Sequence, residues 1–433
     1  MKTFTEVIEY LFARLPMFTR DGASAINPDV DKTLLLCQAL GNPQDKFKSI
    51  HIAGTNGKGS TSHMLASVFA KARYKTGLYT SPHLVDFRER IRVDGEMIEQ
   101  QTVVDFVNNH RELIEEIQPS FFEVTVAMAF DYFAKVNVDI AVIEVGLGGR
   151  LDSTNIISPE LCVITNIGMD HMNILGDTLE QIAGEKAGII KPNTPVVISE
   201  RQNEIQQVFI QKAKEGNSPL FFADDYYEVK QAEKKQQGIE ITVESKKLNQ
   251  NHTWHLDLNG SYQKKNILGV LTAIDQLRDL GFNIANESVK AGLADVQEST
   301  GLRGRWQTLS TDPWIICDTG HNEDGIKAVI QNLTTLNFNS LHFIIGAMKD
   351  KDLSHILPLL PKHAAYYFSA PAMPRAMKAE ELADMAHSFE LKGNAYPTIE
   401  EAFKAANKAY KENDLIFIGG STFVVAEILT NHF

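Results

Sequence analysis

The chain has 433 residues, of which 43% are apolar and 22% are charged, and its formal net charge is −13. This length exceeds what one hydrophobic core usually supports, so we expect at least two domains. The negative charge argues against nucleic-acid and membrane partners, and three scattered cysteines without a C-x-x-C pair argue against a disulfide framework or a structural zinc site. Without a secretory leader or an apolar run of ~18 residues, we expect a cytoplasmic monomer with small-molecule partners.

A glycine-punctuated turn follows the apolar run at residues 50–52 and carries one lysine and two hydroxyls. Glycines let backbone N–H groups converge on an anion, the lysine can reach the β- and γ-phosphates, and a hydroxyl can bind Mg²⁺. The glycine between lysine and hydroxyl departs from the common G-x-x-x-x-G-K-[ST] spacing, so an ordinary glycine-rich turn is the alternative. The residues predicted to bind nucleotide phosphate are Gly54, Thr55, Asn56, Gly57, Lys58, Gly59, Ser60 and Thr61.

Apolar side chains recur at helical spacing from Met64 to Ala72, directly after this turn. Further along the chain, short apolar runs are typical of parallel strands covered on both faces. Short alternating segments between residues 227 and 258 predict antiparallel ribbons. The parallel strands are predicted at residues 140–143, 161–164 and 196–198.

A polar segment at residues 297–302 is typical of a linker, and a second alternation of strands and helices begins after it. We therefore predict an α/β protein in two parts. A P-loop-type, mainly parallel ATPase domain is expected at residues 1–297, and a smaller Rossmann-like domain at residues 298–433. Strands of the second domain are predicted at residues 314–317, 341–345, 364–368 and 415–418.

Polar residues follow two of the predicted parallel strands. Glu144 ends one strand and precedes a glycine loop, and His171 follows the next one. Because ligands bind beyond the carboxyl ends of parallel strands, both residues are candidates for binding Mg²⁺ or phosphate. The structural alternatives are an ion pair between Glu144 and Arg150, and an ordinary hydrogen-bonded histidine.

Lys186 lies on the apolar face of the helix predicted after His171, four residues after Ile182. A buried lysine is costly unless it is paired or chemically altered. One interpretation is a lysine whose stem packs while its ammonium group reaches solvent. The other is a lysine held near a metal ion and carbamylated, which converts a cation into an oxygen ligand.

Two further segments place polar groups after apolar strands. Ser81, Pro82 and His83 precede a basic cluster that includes Arg88, which suits metal binding and an anionic substrate, although the arginines also fit a solvated face. In the second domain, Asp318 is a candidate for a ribose hydroxyl and His321 for a phosphate, so that the nucleotide would contact both domains.

Together these motifs resemble the folylpolyglutamate synthase and dihydrofolate synthase family, within the Mur-type amide ligases. The resemblance implies an ATP-dependent ligase that joins L-glutamate to dihydropteroate, to reduced folates or to both, through an acyl phosphate. It extends over nearly the whole chain and depends on seven ordered blocks, at residues 51–60, 80–83, 87–91, 121–125, 144–152, 170–171 and 184–191.

The resemblance also implies two magnesium ions. Ser81, Glu144 and the phosphate loop, with Ser60, would hold the first ion. Glu144, His171 and a carbamylated Lys186 would hold the second. The catalytic residues are then Lys58, Lys186, His171 and Glu144, and a monovalent cation is a further candidate cofactor.

ATP contacts are implied for Asn266, Arg305, Asp318 and His321, and the substrate site for Ser81, Pro82, His83, Arg88, Phe122 and Asp152. The family pattern is altered around Asp318 and His321, where Glu323 replaces a proline, and ahead of Asn266, where Tyr262 replaces a histidine. These changes are expected to alter how the chain contacts ATP, but not whether it binds and uses a nucleotide.

Three alternative functions remain open. The chain could extend folates without making dihydrofolate, or it could act on a UDP-linked muramyl peptide. Only 53 residues precede Gly54, which leaves too little chain for the UDP-binding domain that muramyl ligases carry there. The last alternative, a non-catalytic nucleotide-binding regulator, would not need Lys58, Ser81, Glu144, His171 and Lys186 together.

Overall fold

The computed structural model describes residues 1–25, 27, 29–235, 237–349 and 351–433. It divides into two compact units. Unit 1 comprises Met1–Asp257 and Gln263–Leu302, and unit 2 comprises Leu258–Tyr262 and Arg303–Phe433. No helix in the described part of the chain is long and apolar enough to cross a membrane.

Unit 1 contains a large, mainly parallel sheet and a small antiparallel one. The large sheet has the strand order β4-β3-β2-β5-β1-β6-β7-β8, in which only the β2–β3 and β3–β4 pairs are antiparallel, and the small sheet has the order β11-β10-β9. The strands are β1 (Lys48–Ala53), β2 (Thr76–Tyr79), β3 (Ile91–Val93), β4 (Glu96–Met97), β5 (Ile140–Glu144), β6 (Leu161–Ile164), β7 (Val196–Ile198), β8 (Leu220–Phe222), β9 (Tyr227–Lys234), β10 (Ile239–Ser245) and β11 (Gln250–Leu256).

Helices cover both faces of the large sheet, as its continuously apolar strands require. One apolar cluster includes Phe130 and Ile143, and another includes Ile164 and Ile182. The helices are α1 (Phe4–Arg14), α2 (Phe18–Asp21), α3 (Asp31–Ala39), α4 (Lys58–Lys71), α5 (Gln100–Asn109), α6 (Arg111–Ile117), α7 (Phe121–Lys135), α8 (Met172–Leu175), α9 (Leu179–Ala187), α10 (Gln206–Glu215), α11 (Ala223–Tyr226), α12 (Gln263–Asp279), α13 (Asn286–Leu293) and α14 (Val296–Thr300).

Unit 2 is built on one sheet of order β12-β13-β17-β14-β15-β16, in which only the β12–β13 pair is antiparallel. Its core includes Phe343 and Phe417, whose ring centroids are 4.8 Å apart. The elements are β12 (Gln307–Thr311), β13 (Trp314–Cys317), α15 (Glu323–Leu333), β14 (Leu341–Ile345), β15 (Ala365–Ser369), α16 (Ala379–Ser388), β16 (Gly393–Tyr396), α17 (Ile399–Ala409), β17 (Leu415–Gly419) and α18 (Thr422–His432).

The predicted α/β class, the parallel strands and the antiparallel ribbons are confirmed. The segment predicted as a linker, residues 297–302, is mostly occupied by helix α14, although unit 1 does end at Leu302. Val296 and Thr300 are buried at i, i+4 spacing and anchor the helix despite its polar sequence. Strands β12 and β16 were not predicted, because neither has a continuous apolar run.

Candidate active site

The glycine-rich turn connects the carboxyl end of β1 to the first residue of α4, Lys58. Gly54 and Gly57 have φ angles of 146° and 87°. A Cβ atom on Gly54 would lie 1.8 Å from Thr165 Oγ1, and one on Gly57 would lie 2.4 Å from Asn266 Oδ1. Both positions therefore require glycine, for conformation and for space. The strand, turn and helix have the order that binds phosphate at a helix N-terminus.

The segment after β6 holds this turn in place. Asn56 N donates to Asn166 Oδ1 at 2.8 Å, and Thr55 N donates to Asn166 O at 2.8 Å. Thr165 Oγ1 donates to Asn56 O at 2.6 Å, and Gly168 N donates to Thr55 Oγ1 at 2.9 Å. Sequence reasoning missed Thr165 and Asn166 as positioning residues, although they lie between a predicted strand and His171.

Two lysines converge on one carbonyl oxygen of the turn. Lys58 Nζ donates to Gly54 O at 3.0 Å, and Lys186 Nζ donates to the same atom at 2.9 Å. Lys186 is 3% exposed, so the interpretation in which its ammonium group reaches solvent is wrong. Burial, and then the neighbouring charge of Lys58, lower the pKa of Lys186 to about 7.

The glycine loop after β5 positions the helix that carries Lys186. A Cβ on Gly149 would lie 2.8 Å from Glu185 O, and Arg150 N donates to that oxygen at 2.8 Å. A Cβ on Gly188 would lie 2.3 Å from the Cβ of Arg150. Arg150 forms its ion pair with Glu185 at 2.8 Å, rather than the pair with Glu144 considered above.

Glu144 and Ser81 meet where neighbouring strands β5 and β2 end. Ser81 N donates to Glu144 Oε2 at 3.1 Å, and Glu144 is 4% exposed. His171 has a φ angle of 52° and precedes α8, and its ring lies 5.5 Å from the Phe18 ring in an edge-on contact. The structure therefore brings Ser81 to Glu144 and places His171 on the loop after β6.

Among the described residues, no three His, Cys, Asp or Glu side chains are grouped so that they could hold a metal ion. Mg²⁺ needs no such cage, because it keeps several waters and is bound through one or two carboxylates and substrate phosphates. The buried Glu144 carboxylate and the Ser60 hydroxyl are oxygen donors of the type that Mg²⁺ prefers. The donor set therefore fits a magnesium ion.

The loop after β2 contains two distinct arginine environments. Arg90 is 6% exposed and its Nε donates to His83 Nδ1 at 2.8 Å, so the solvated-face interpretation is wrong for Arg90. Burial, and then the charge of Arg90, lower the pKa of His83 to about 3, which keeps its ring neutral. Arg88 forms an ion pair with Asp86 at 2.7 Å, and the exposed Pro82 lies at the start of the loop.

Phe122 and Asp152, the other predicted substrate residues, differ in their surroundings. Phe122 is partly exposed at the start of α7, and a Cβ on Gly146 would lie 2.4 Å from its ring. Asp152 is buried and accepts hydrogen bonds from Leu147 N and from the backbone and hydroxyl of Thr154. Burial raises the pKa of Asp152. The contacts of Asp152 hold the glycine loop, and its substrate role stays a prediction.

In unit 2, Asp318 organises the segment that carries the predicted nucleotide ligands. Its carboxylate accepts from Tyr262 Oη at 2.7 Å, from Trp306 N at 2.8 Å and from Gly320 N at 2.7 Å. Arg305 donates to the Thr319 hydroxyl, and His321 Nδ1 lies 3.0 Å from Thr319 O. The tyrosine that departs from the family pattern thus has a specific partner, Asp318, which sequence reasoning did not predict.

Comparison with known proteins identifies the family. The Mur ligase middle domain model matches residues 52–274, and the Mur ligase glutamate ligase domain model matches residues 304–422. The dihydrofolate synthase/folylpolyglutamate synthase of Bacillus subtilis is 32% identical over 93% of this chain and 94% of its own length. The chain belongs to this family. The predicted class of enzyme, an ATP-dependent ligase, is therefore confirmed.

Solved structures of the family have the same fold. The Mycobacterium tuberculosis folylpolyglutamate synthase complexed with ADP has a TM-score of 0.88 at 29% identity and covers 99% of this chain and 98% of its own. Escherichia coli FolC in complex with DHPP and ADP has a TM-score of 0.84 at 27% identity and covers 99% and 97%. The matches extend over both units of the chain.

Gly149, which packs against helix α9, and Gly184, which lies within α9, are expected to respond in opposite ways to substitution by alanine. Gly149→Ala should lower the melting temperature and the ligase activity, because its Cβ would meet backbone atoms of Glu185 and Lys186. Gly184→Ala should stabilise the protein by about 0.5–1 kcal/mol, because this exposed helical glycine has open space around its Cβ position. Thermal unfolding of both variants checks this, and equal melting temperatures would contradict the packing argument.

Proposed function

We propose that this ligase is bifunctional, adding L-glutamate to dihydropteroate and also extending reduced folates. Membership of the family supports ATP-dependent ligation as the reaction class. The convergence of Lys58 and Lys186 on Gly54 O supports a nucleotide-dependent centre in unit 1. The names of the full-length relatives favour pteroate and folate substrates over a UDP-muramyl peptide. Extension of folates alone is the second candidate, favoured by relatives named only folylpolyglutamate synthase.

The reaction needs a carboxylate oxygen to become a leaving group. Transfer of the ATP γ-phosphoryl group to the substrate carboxylate forms an acyl phosphate and ADP. The glutamate amine then attacks the acyl carbon, the amide bond forms, and phosphate and a proton leave. Most of the catalytic effect in such a transfer comes from positioning and charge neutralisation.

The phosphate loop and the residues at the neighbouring strand ends have separate roles in this proposal. Its N–H groups and the α4 N-terminus receive the phosphates, and Lys58 exchanges its contacts with Gly54 O and Thr55 O for phosphate oxygens. Ser60, Ser81 and Glu144 would hold a first Mg²⁺, and His171 would take part in holding a second. Bound Mg²⁺ neutralises the negative charge that develops on the phosphate oxygens. Asn266 is proposed to contact ATP in unit 1. Within unit 2, Arg305, Asp318 and His321 are the proposed nucleotide-binding residues.

Lys186 is proposed to react with carbon dioxide. Its neutral amine attacks the carbon of CO₂ and loses one proton, which gives a carbamate anion. The depressed pKa supplies the neutral amine near pH 7, and burial limits access of the water that would deliver the proton needed to release CO₂ again. The carbamate oxygens would then serve as a ligand for the second Mg²⁺.

The pteroate end is proposed to bind between Phe122 and the loop that begins at Ser81. The partly exposed Phe122 ring offers an aromatic face for the flat pterin ring. On the loop that begins at Ser81, His83 offers a neutral hydrogen-bond donor and Arg88 offers a positive charge. Asp152 holds the glycine loop after β5, against which Phe122 packs.

The substrate range is tested by ADP release from the purified protein with ATP, Mg²⁺ and L-glutamate. We expect turnover of both 7,8-dihydropteroate and a tetrahydrofolate monoglutamate, with a mass gain of one glutamate in each product. Turnover of the folate alone would restrict the enzyme to chain extension. Turnover of neither would reject the proposed substrates.

Removal of the Lys186 amine should abolish ligation. We expect Lys186→Ala to lower kcat by about 10²–10³-fold or more, because the carbamate that would hold the second Mg²⁺ beside the transferring phosphoryl group is lost. Lys186→Arg should fail equally, since an arginine retains the charge but cannot form the carbamate, whereas Lys327→Ala on the surface should have no effect. Partial rescue of the alanine variant by acetate or formate supports the carbamate, and a fully active variant would exclude it.

The carbamate also predicts a pH dependence. Below pH ~7 the Lys186 amine is protonated and cannot react with CO₂, so in CO₂-depleted buffer added bicarbonate should restore activity more fully at pH 8 than at pH 6. Activity assays at both pH values, with ¹³C-bicarbonate NMR of the protein, check this. The absence of a labelled carbamate in wild-type protein at pH 8 would contradict it.

A further inference from the structure

A buried hydrogen-bond relay connects the first turn of helix α12 to the hydroxyl of Ser60. Gln263 Nε2 donates to Ser60 Oγ at 3.1 Å, and Asn266 Nδ2 donates to Gln263 Oε1 at 2.7 Å. Ser60 is 1% exposed, Gln263 0% and Asn266 8%. Because bulk water reaches these groups poorly, loss of either bond leaves a buried polar group without its partner.

The relay has one direction, which determines how each side chain is oriented. Gln263 donates to Ser60, so one Oγ lone pair is occupied while the hydroxyl proton and the other lone pair point elsewhere. Asn266 donates to Gln263, and its Oδ1 faces Gly57, where an added Cβ would lie 2.4 Å away. A single glutamine amide thereby fixes two predicted nucleotide-site residues on opposite sides of it.

We infer that Gln263 is a positioning residue for the Mg²⁺–nucleotide complex. It holds Ser60 Oγ so that its second lone pair is available to Mg²⁺, and it holds the Asn266 amide in the orientation that presents Oδ1 toward the phosphate loop. Gln263 itself touches neither ATP nor the reacting atoms. This inference rests on the proposed binding of nucleotide and Mg²⁺ at the phosphate loop.

Helix α12 provides a matched control for this role. Gln276 is the same residue type on the same helix, is 7% exposed, and lies 13 residues after Gln263. That separation is about 20 Å along the helix axis, far from Ser60. Substitution of either glutamine by leucine removes a buried amide from α12, but only one of the two substitutions breaks the relay.

The test is isothermal titration of ADP, with and without Mg²⁺, into wild-type protein and each leucine variant. The quantity compared is the ratio of ADP affinity with Mg²⁺ to that without it. We expect Gln263→Leu to lower this ratio roughly fivefold to tenfold, because Ser60 loses its orienting donor. Gln276→Leu should leave the ratio unchanged. An unchanged ratio in Gln263→Leu, or an equal fall in Gln276→Leu, overturns the inference.

A double-variant cycle separates positioning of Ser60 from general damage to α12. In a Ser60→Ala background, Gln263→Leu should cause no further fall in the ratio, and an equal fall in both backgrounds overturns the inference. Should Gln263→Leu unfold, Gln263→Met serves instead, because its unbranched side chain has a similar length but offers no N–H to Ser60. Wild-type protein that binds ADP without any effect of Mg²⁺ would reject the proposed magnesium site as well.

Discussion

The arrangement of unit 1 depends on the carbonyl oxygen of Gly54, which accepts hydrogen bonds from the amino groups of two lysines. Lys58 starts α4 and Lys186 lies near the end of α9, so one atom joins two helices that are far apart in the chain. Burial, and then the neighbouring charge of Lys58, depress the pKa of Lys186. An anion bound in the loop would offset that charge.

The backbone around that carbonyl is fixed by contacts that leave no room for side chains. Gly54 lies against Thr165, Gly149 lies against the backbone of α9, and Gly188 lies against Arg150. Buried hydrogen bonds continue this arrangement away from the nucleotide loop. His51 is wholly buried, its Nε2 lies 2.9 Å from the Thr154 hydroxyl, and that hydroxyl donates to Asp152. Burial lowers the pKa of His51 to about 3, so β1 is linked to the glycine loop through a neutral histidine.

Prediction from the sequence succeeded for elements with a strong local pattern of apolar residues and failed for elements without one. Strands with continuous apolar runs, such as β5 and β6, were predicted to within a residue of their ends, since burial on both faces leaves no other composition available. Strand β12 pairs on one side only and is half exposed, and α14 is a short polar helix held by two buried residues, so neither had a periodic pattern to detect. The edge strand β12 and the short helix α14 were consequently missed.

By itself, the sequence determined the α/β class, the phosphate loop, the family and the identity of the polar residues that follow β2, β5 and β6. These features follow from local composition, from the positions of glycines in the turns, and from the rule that parallel strands present their carboxyl ends to one edge of the sheet. Only the tertiary structure decided that Lys186 points to Gly54 O, that Arg150 pairs with Glu185, and that Gln263 lies behind Ser60. Those contacts join residues 35 to 203 positions apart. Their geometry is set by packing between elements, which no local pattern in the chain specifies.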